Sequence, residues 1–156
     1  MKFSVVIPCH NEEDSIGLLL DTLKPLLIAK LGEDWEVILV DDGSGDSTRD
    51  LIQAASDLDC RIKGVFLSRA FGHQPAIFAG LGYATGAYVG VIDVDLQDPP
   101  FVLLECLEKA TAEKLDVVYA VRRNRQSSHS LKLCYWFFYR LMGLLSSHSW
   151  PLDAGD

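Results

Sequence analysis

The residues best suited to chemistry lie in Asp93-Val94-Asp95-Leu96-Gln97-Asp98, a carboxylate-rich run that follows the apolar stretch Tyr88 to Ile92. An Asp-x-Asp pair leaving a strand tip can turn both carboxylates toward one point where the backbone bends. Gln97 offers an amide oxygen at the same period. Hard divalent cations take oxygen ligands, and magnesium commonly takes one or two carboxylates together with substrate phosphates. Asp93, Asp95 and Gln97 are therefore candidate ligands for a cation that neutralises phosphate charge. The plainer alternative is a solvated loop in which Asp98, before Pro99, caps the next helix.

A second cluster, Asp41-Asp42-Gly43-Ser44-Gly45, follows the apolar run Trp35 to Val40. An acidic side chain there is placed to bond a ribose hydroxyl or a base edge. Gly43 and Gly45 permit positive φ or a close backbone approach. The alternative is a turn that merely caps the following helix, although two adjacent carboxylates at an apolar strand end repel each other and so suggest a purpose. The first loop, Pro8-Cys9-His10-Asn11-Glu12, is acidic and free of glycine. That argues against the Gly- and Arg/Lys-rich phosphate loop a nucleotidyltransferase would want. Cys9 has no sequence-local base and reads as a small buried residue. The four histidines are scattered; His73, beside Arg69, is the one nearest the inferred cleft. Gly80 to Gly86 closes a helix and precedes a strand, so its glycines read as small-residue packing rather than a dinucleotide fingerprint.

The elements that must position these clusters are short β-branched runs alternating with helical patterns, which predicts an α/β fold with a mostly parallel sheet. Strands are expected at Phe3–Ile7, Trp35–Val40, Arg61–Leu67, Tyr88–Ile92 and Asp116–Val121. Helices are expected at Glu12–Leu27, from Asp46 or Ser47 to Ala55, at Gln74–Tyr83, and from Pro99 or Pro100 to Glu113. The polar clusters then follow the carboxyl ends of strands one, two and four, the edge where open α/β sheets bind ligands.

The chain of 156 residues suits one α/β domain. A hydrophobic share of 49% with 23% charged residues is a globular balance. A net charge of −8 argues against nucleic-acid binding by bulk positive charge. The charge is uneven: Val117 to Leu152 holds no Asp or Glu but includes Arg122, Arg123, Arg125, Lys132 and Arg140. Such asymmetry suggests an anionic partner for the tail. Leu131–Leu145 is nearly all apolar or aromatic, interrupted by Lys132, Arg140 and Gly143. It is too short for a bilayer span of about 20 residues and suits an interfacial helix, the alternative being a core helix packed on the sheet or on C-terminal parts. The separated cysteines give neither zinc spacing nor a disulfide framework, so a reduced setting is expected. The N-terminus enters a strand-like run directly, so no signal peptide is expected. The stop after Ala154-Gly155-Asp156 reads as truncation of a longer protein, with residues 1–156 as its catalytic domain.

Several stretches carry a family resemblance. Val5-Val6-Ile7-Pro8-Cys9-His10-Asn11-Glu12-Glu13, Val40-Asp41-Asp42-Gly43-Ser44, Leu67 to Gln74, Ala79 to Gly86 and Asp93-Val94-Asp95-Leu96-Gln97-Asp98-Pro99-Pro100 together resemble family 2 glycosyltransferases of the GT-A fold, in the polyprenyl-phosphate branch. The resemblance implies a GT-A nucleotide-diphospho-sugar transferase fold and an inverting, metal-dependent transfer. The donor would be a UDP- or GDP-sugar and the acceptor a polyprenyl phosphate at the cytoplasmic face of a membrane. It implies that Pro8, Asn11, Glu12, Asp41, Asp42 and Asp93 line the nucleotide pocket. Asp93, Asp95 and Gln97 would surround Mg2+ or Mn2+, and Arg122 and Arg123 would meet phosphate groups. Asp153 and Asp156 resemble the start of the acceptor motif. The alternatives are a non-catalytic nucleotide-sugar-binding domain and a polysaccharide or cell-wall glycan transferase of the same family.

Overall fold

The computed structural model describes residues 2–121 of the 156. Its elements run β1 (Phe3–Cys9), α1 (Ile16–Leu31), β2 (Trp35–Asp41), α2 (Thr48–Leu58), β3 (Ile62–Phe66), α3 (His73–Tyr83), β4 (Tyr88–Val91) and α4 (Pro100–Glu113). All lie in a compact unit spanning Met1–Lys114; residues from Leu115 onward belong to a second unit, described only as far as Val121. The four strands form one parallel sheet in the order β3-β2-β1-β4.

The alternation of side chains along a strand divides the core in two. Phe3, Val5, Ile7 and Cys9 of β1 and Trp35, Val37 and Leu39 of β2 join α1, α2 and α4 through residues such as Leu19, Leu23, Ile52, Leu104 and Leu107. The opposite parity, Val6, Ile38, Val40 and Val65, packs against Ala76 of α3. The approach of α3 depends on Gly80, since a Cβ there would lie 2.5 Å from Val6 Cγ1. Gly80 is thus a packing residue, as its place at the end of a helix predicts.

Two differences from expectation have clear causes. β1 continues through Pro8 to Cys9 instead of stopping at Ile7. Proline interrupts a central strand because it cannot donate to the ladder. The even-numbered residues of β1 face β4, as the Ile92 N–H to Val6 O bond shows, and β4 ends at Val91. The donor that Pro8 lacks would therefore have pointed past the end of its neighbour. The expected fifth strand at Asp116–Val121 is a correction: those residues carry no strand, and the sheet of the described residues stops at β4. A β-branched run becomes a strand only where a neighbour completes its hydrogen bonds, and no ladder partner pairs with this one among the described residues.

Beneath the amino ends of the strands lies a buried carboxylate. Glu36 is 1% exposed and accepts hydrogen bonds from Ser4 Oγ (2.6 Å), Thr85 N (2.7 Å) and Thr85 Oγ1 (2.9 Å). Its second oxygen meets Lys2 Nζ and Lys63 Nζ, each at 2.7 Å. Burial opposes its charge, but the two ammonium groups and the hydroxyl and amide donors outweigh that, holding the carboxyl well below the usual range. The network ties β1, β2, β3 and the turn before β4 together at one point.

Candidate active site

At the opposite, carboxyl edge of the sheet, the loops after β1 and β2 are stitched to each other. Asn11 sits at φ 56; its N–H donates to Ser44 Oγ (3.0 Å) and its Oδ1 accepts from Gly45 N (2.8 Å). Glu12 N donates to Thr48 Oγ1 (2.7 Å), and Ser47 N donates to Glu13 Oε2 (2.9 Å). These bonds occupy the segment where α1 was expected to begin, so α1 starts at Ile16 instead of Glu12. Ser47 occupies the N-cap position of α2, and Asp46, one residue earlier, accepts the Thr48 N–H at 3.0 Å.

The paired aspartates divide their work. Asp41 is fully buried; its Oδ1 accepts the Ser44 N–H at 3.0 Å, and its Oδ2 has no hydrogen-bond partner among the described residues. Asp42 is 4% exposed and accepts two backbone N–H groups, from Phe71 and Gly72, each at 2.8 Å. Its carboxylate thus fixes the start of α3. Gly43, at φ 64, lets this junction close, because a Cβ there would meet Arg69 C at 2.4 Å.

After β4 the alternation continues: Ile92 and Val94 are buried while Asp93 and Asp95 are exposed. Both aspartates are therefore turned away from the core, in the segment that follows β4. Asp95 Oδ1 accepts the Gln97 N–H at 3.0 Å, with Leu96 at φ 57 making the turn. Pro99, not Asp98, occupies the N-cap position of α4.

These elements enclose a cleft of about 450 Å³ lined by residues from all three loops, among them Pro8, Glu12, Asp42, His73, Asp93 and Asp95. Of the residues singled out from sequence, Pro8, Glu12, Asp42, Asp93 and Asp95 line it. Asn11 stitches the loops beside it and Asp41 lies buried behind it. Gln97 is exposed and outside the lining set, contributing its backbone N–H to the turn. Arg122, Arg123, Asp153, Asp156 and the Leu131–Leu145 stretch lie outside the described residues. His10, Gly72 and His73 also line the cleft. Only spacing to Arg69 pointed to His73, and no local pattern marked His10.

Four acidic residues line one space, and among them Asp93 and Asp95 lack the paired backbone donors that occupy both oxygens of Asp42. No group of three or more His, Cys, Asp or Glu side chains forms a cation cage among the described residues. Two carboxylates opening on one cleft fit a magnesium-like cation that completes its shell with water and substrate oxygens. They do not fit an all-protein cage.

Cys9 also lines the cleft, yet its thiol is 2% exposed and its Sγ donates to Ile7 O at 3.6 Å. Burial, with Glu12 and Asp41 nearby, pushes its pKa up to about 12. A neutral, buried thiol is a poor nucleophile. Alkylation of the native protein at pH 8 should label exposed Cys60 and spare Cys9, read by peptide mass mapping. Labelling of Cys9 at the rate of Cys60 would contradict this geometry.

Comparison with known proteins supplies a setting for this cleft. Residues 4–145 match the family model described as glycosyl transferase family 2. The chain is 40% identical over 157 residues to the glycosyltransferase YkcC of Bacillus subtilis, covering 100% of this chain and 48% of that protein. It is 44% identical over 131 residues to the undecaprenyl-phosphate 4-deoxy-4-formamido-L-arabinose transferase of Pectobacterium atrosepticum, covering 83% and 39% respectively. The chain spans about half the length of the first relative and less of the second. Among solved structures, S. aureus TarS in complex with UDP-GlcNAc superposes with a TM-score of 0.60 at 25% identity, over 83% of this chain and 38% of TarS. Glucosyl-3-phosphoglycerate synthase from Mycobacterium tuberculosis, in complex with Mn2+, UDP and glucosyl-3-phosphoglycerate, gives 0.54 at 27% identity, over 70% and 39%.

Proposed function

This chain belongs to glycosyl transferase family 2 and has the GT-A fold, and we propose that it is the catalytic domain of an inverting enzyme that moves a sugar from a nucleotide-sugar donor to a polyprenyl phosphate. The observation that carries the reading is the convergence of Glu12, Asp42, Asp93 and Asp95 on one cleft at the carboxyl edge of the sheet. The acceptor class is supported by the 44% identity to an undecaprenyl-phosphate transferase. The membrane face is the cytoplasmic one, where the Leu131–Leu145 stretch, with Lys132 and Arg140, meets anionic lipid. Among the described residues no helix is long and apolar enough to cross a membrane.

In this reading the nucleoside lies against the stitched loops of Pro8–Glu12 and Asp42, which are held in place before the donor arrives. A divalent cation on Asp93 and Asp95, Mg2+ or Mn2+, would supply neutralisation of the leaving diphosphate. Gln97 completes the turn that aims Asp95, and Arg122 and Arg123 add positive charge to the departing phosphate. The bond from the anomeric carbon to the diphosphate oxygen breaks, its electron pair leaving with the nucleoside diphosphate, as an acceptor phosphate oxygen bonds to that carbon from the opposite face. A lipid phosphate is already anionic at neutral pH, so it needs no general base; Asp153 and Asp156 position the acceptor.

The test is incubation of the full-length protein with labelled UDP- and GDP-sugars and undecaprenyl phosphate, with and without chelator. The expected result is a labelled, organic-extractable lipid with inverted anomeric configuration, formed from UDP-sugars and abolished by chelator. Transfer only to a soluble glycan, or transfer unaffected by chelator, would contradict the acceptor and the cation role respectively.

A further inference from the structure

The cleft is strongly acidic for a site meant to receive a nucleoside diphosphate: Glu12, Asp42, Asp93 and Asp95 all line it. The side chains lining it that can donate a hydrogen bond to an anion are His10 and His73, because Cys9 is committed to Ile7 O. His10 is committed as well. Its Nδ1 lies 2.8 Å from the Asp42 carbonyl, which can only accept, so Nδ1 carries the proton. Its Nε2 lies 3.2 Å from Asn11 Nδ2, whose amide oxygen is held by Gly45 N, so Nε2 accepts.

That leaves His73. It is the first residue of α3, directly after the Phe71–Gly72 backbone clamped by Asp42. Its Nε2 reaches Asp93 Oδ1 at 3.5 Å, and both side chains are about half exposed. The contact is long for a hydrogen bond and lies at the carboxylate that the cation would take. We propose that His73 is a donor-contact residue: its Nε2–H binds a phosphate oxygen of the nucleotide once Asp93 turns to the cation. This inference rests on the nucleotide-sugar reading above and assigns that reading a residue outside the Asp-x-Asp cluster. The same ring then touches either Asp93 or the phosphate, so cation and nucleotide reinforce each other's binding through it. The first turn of α3 adds the favourable end of its dipole toward a negative group.

The experiment is calorimetric titration of the full-length protein with UDP and GDP in Mn2+, then with the matching nucleoside, for wild type, His73→Ala and His73→Gln. His73→Ala should weaken the diphosphate about tenfold or more while leaving the nucleoside unchanged, the loss expected for one hydrogen bond to a charged group. His73→Gln, which restores a side-chain N–H, should recover part of the loss. Thermal unfolding of both variants should match wild type. Unchanged diphosphate affinity in His73→Ala would overturn the assignment while the donor reading stands. An equal loss for the nucleoside would overturn it too, by showing a disturbed loop. Failure of wild type to bind either diphosphate would remove the donor reading and this inference with it.

Discussion

Asp95→Ala is expected to lower sugar transfer about 100- to 1,000-fold, the effect of weakening cation stabilisation of a leaving diphosphate by several kcal/mol. Asp95 is exposed, and its carboxylate accepts the Gln97 N–H at 3.0 Å in a surface turn. Removing it should therefore change stability by no more than about 0.5 kcal/mol, as exposed substitutions generally do. Asp95→Asn sharpens the result, because its amide oxygen keeps the turn while the charge is lost. Both variants should show the same loss of transfer and of Mn2+-dependent UDP affinity, with unfolding curves like wild type. Activity within a few fold of wild type in Asp95→Asn would mean that the charge is not what the reaction uses.

The second large effect is on folding. Glu36→Gln should destabilise the domain by about 2–4 kcal/mol, toward the lower end of what breaking a buried ion pair costs. The lower end is expected because Lys2 and Lys63 are 40% and 39% exposed and stay hydrated without their partner. The pH dependence carries a definite sign. The folded-state carboxyl is held well below its unfolded value of about 4.3. Its contribution is therefore complete above the unfolded pKa and is lost as pH falls through the folded one. In urea denaturation, the gap between wild type and Glu36→Gln should be full at pH 7 and shrink progressively below about pH 4. A gap as large at pH 3 as at pH 7 would show that shape, not charge, was responsible.

Much of this architecture was legible in the residues because the pattern was local. Uninterrupted apolar runs such as Val5-Val6-Ile7 and Val37-Ile38-Leu39-Val40 require cover on both faces, and both faces are covered. The helix from Pro100 to Glu113 begins at its prolines as expected. What misled was non-local. Asp116–Val121 has strand composition, but composition cannot supply a neighbour. The start of α1 is set by Glu12 and Glu13 bonding residues more than thirty positions away, which no helical periodicity records. The cleft was legible to the same extent: the acidic loops and their common edge follow from strand order. The backbone donors that engage Asp42, and the way they bring His73 opposite Asp93, arise only when β3 and its loop fold over.

The strand order also sets a schedule for assembly. β3, β2 and β1 are neighbours in both sequence and space, so most of their pairing is available once residues 1–66 have formed. β4 joins the far side of β1 across 85 positions, pairing Phe3 with Tyr88, and closure of so long a loop comes late. The two halves of the cleft therefore mature at different times during synthesis. The stitched loops after β1 and β2 can be complete on the nascent chain while Asp93 and Asp95 are still being delivered by the ribosome, so the wall that carries these two aspartates is the last part of the cleft to close.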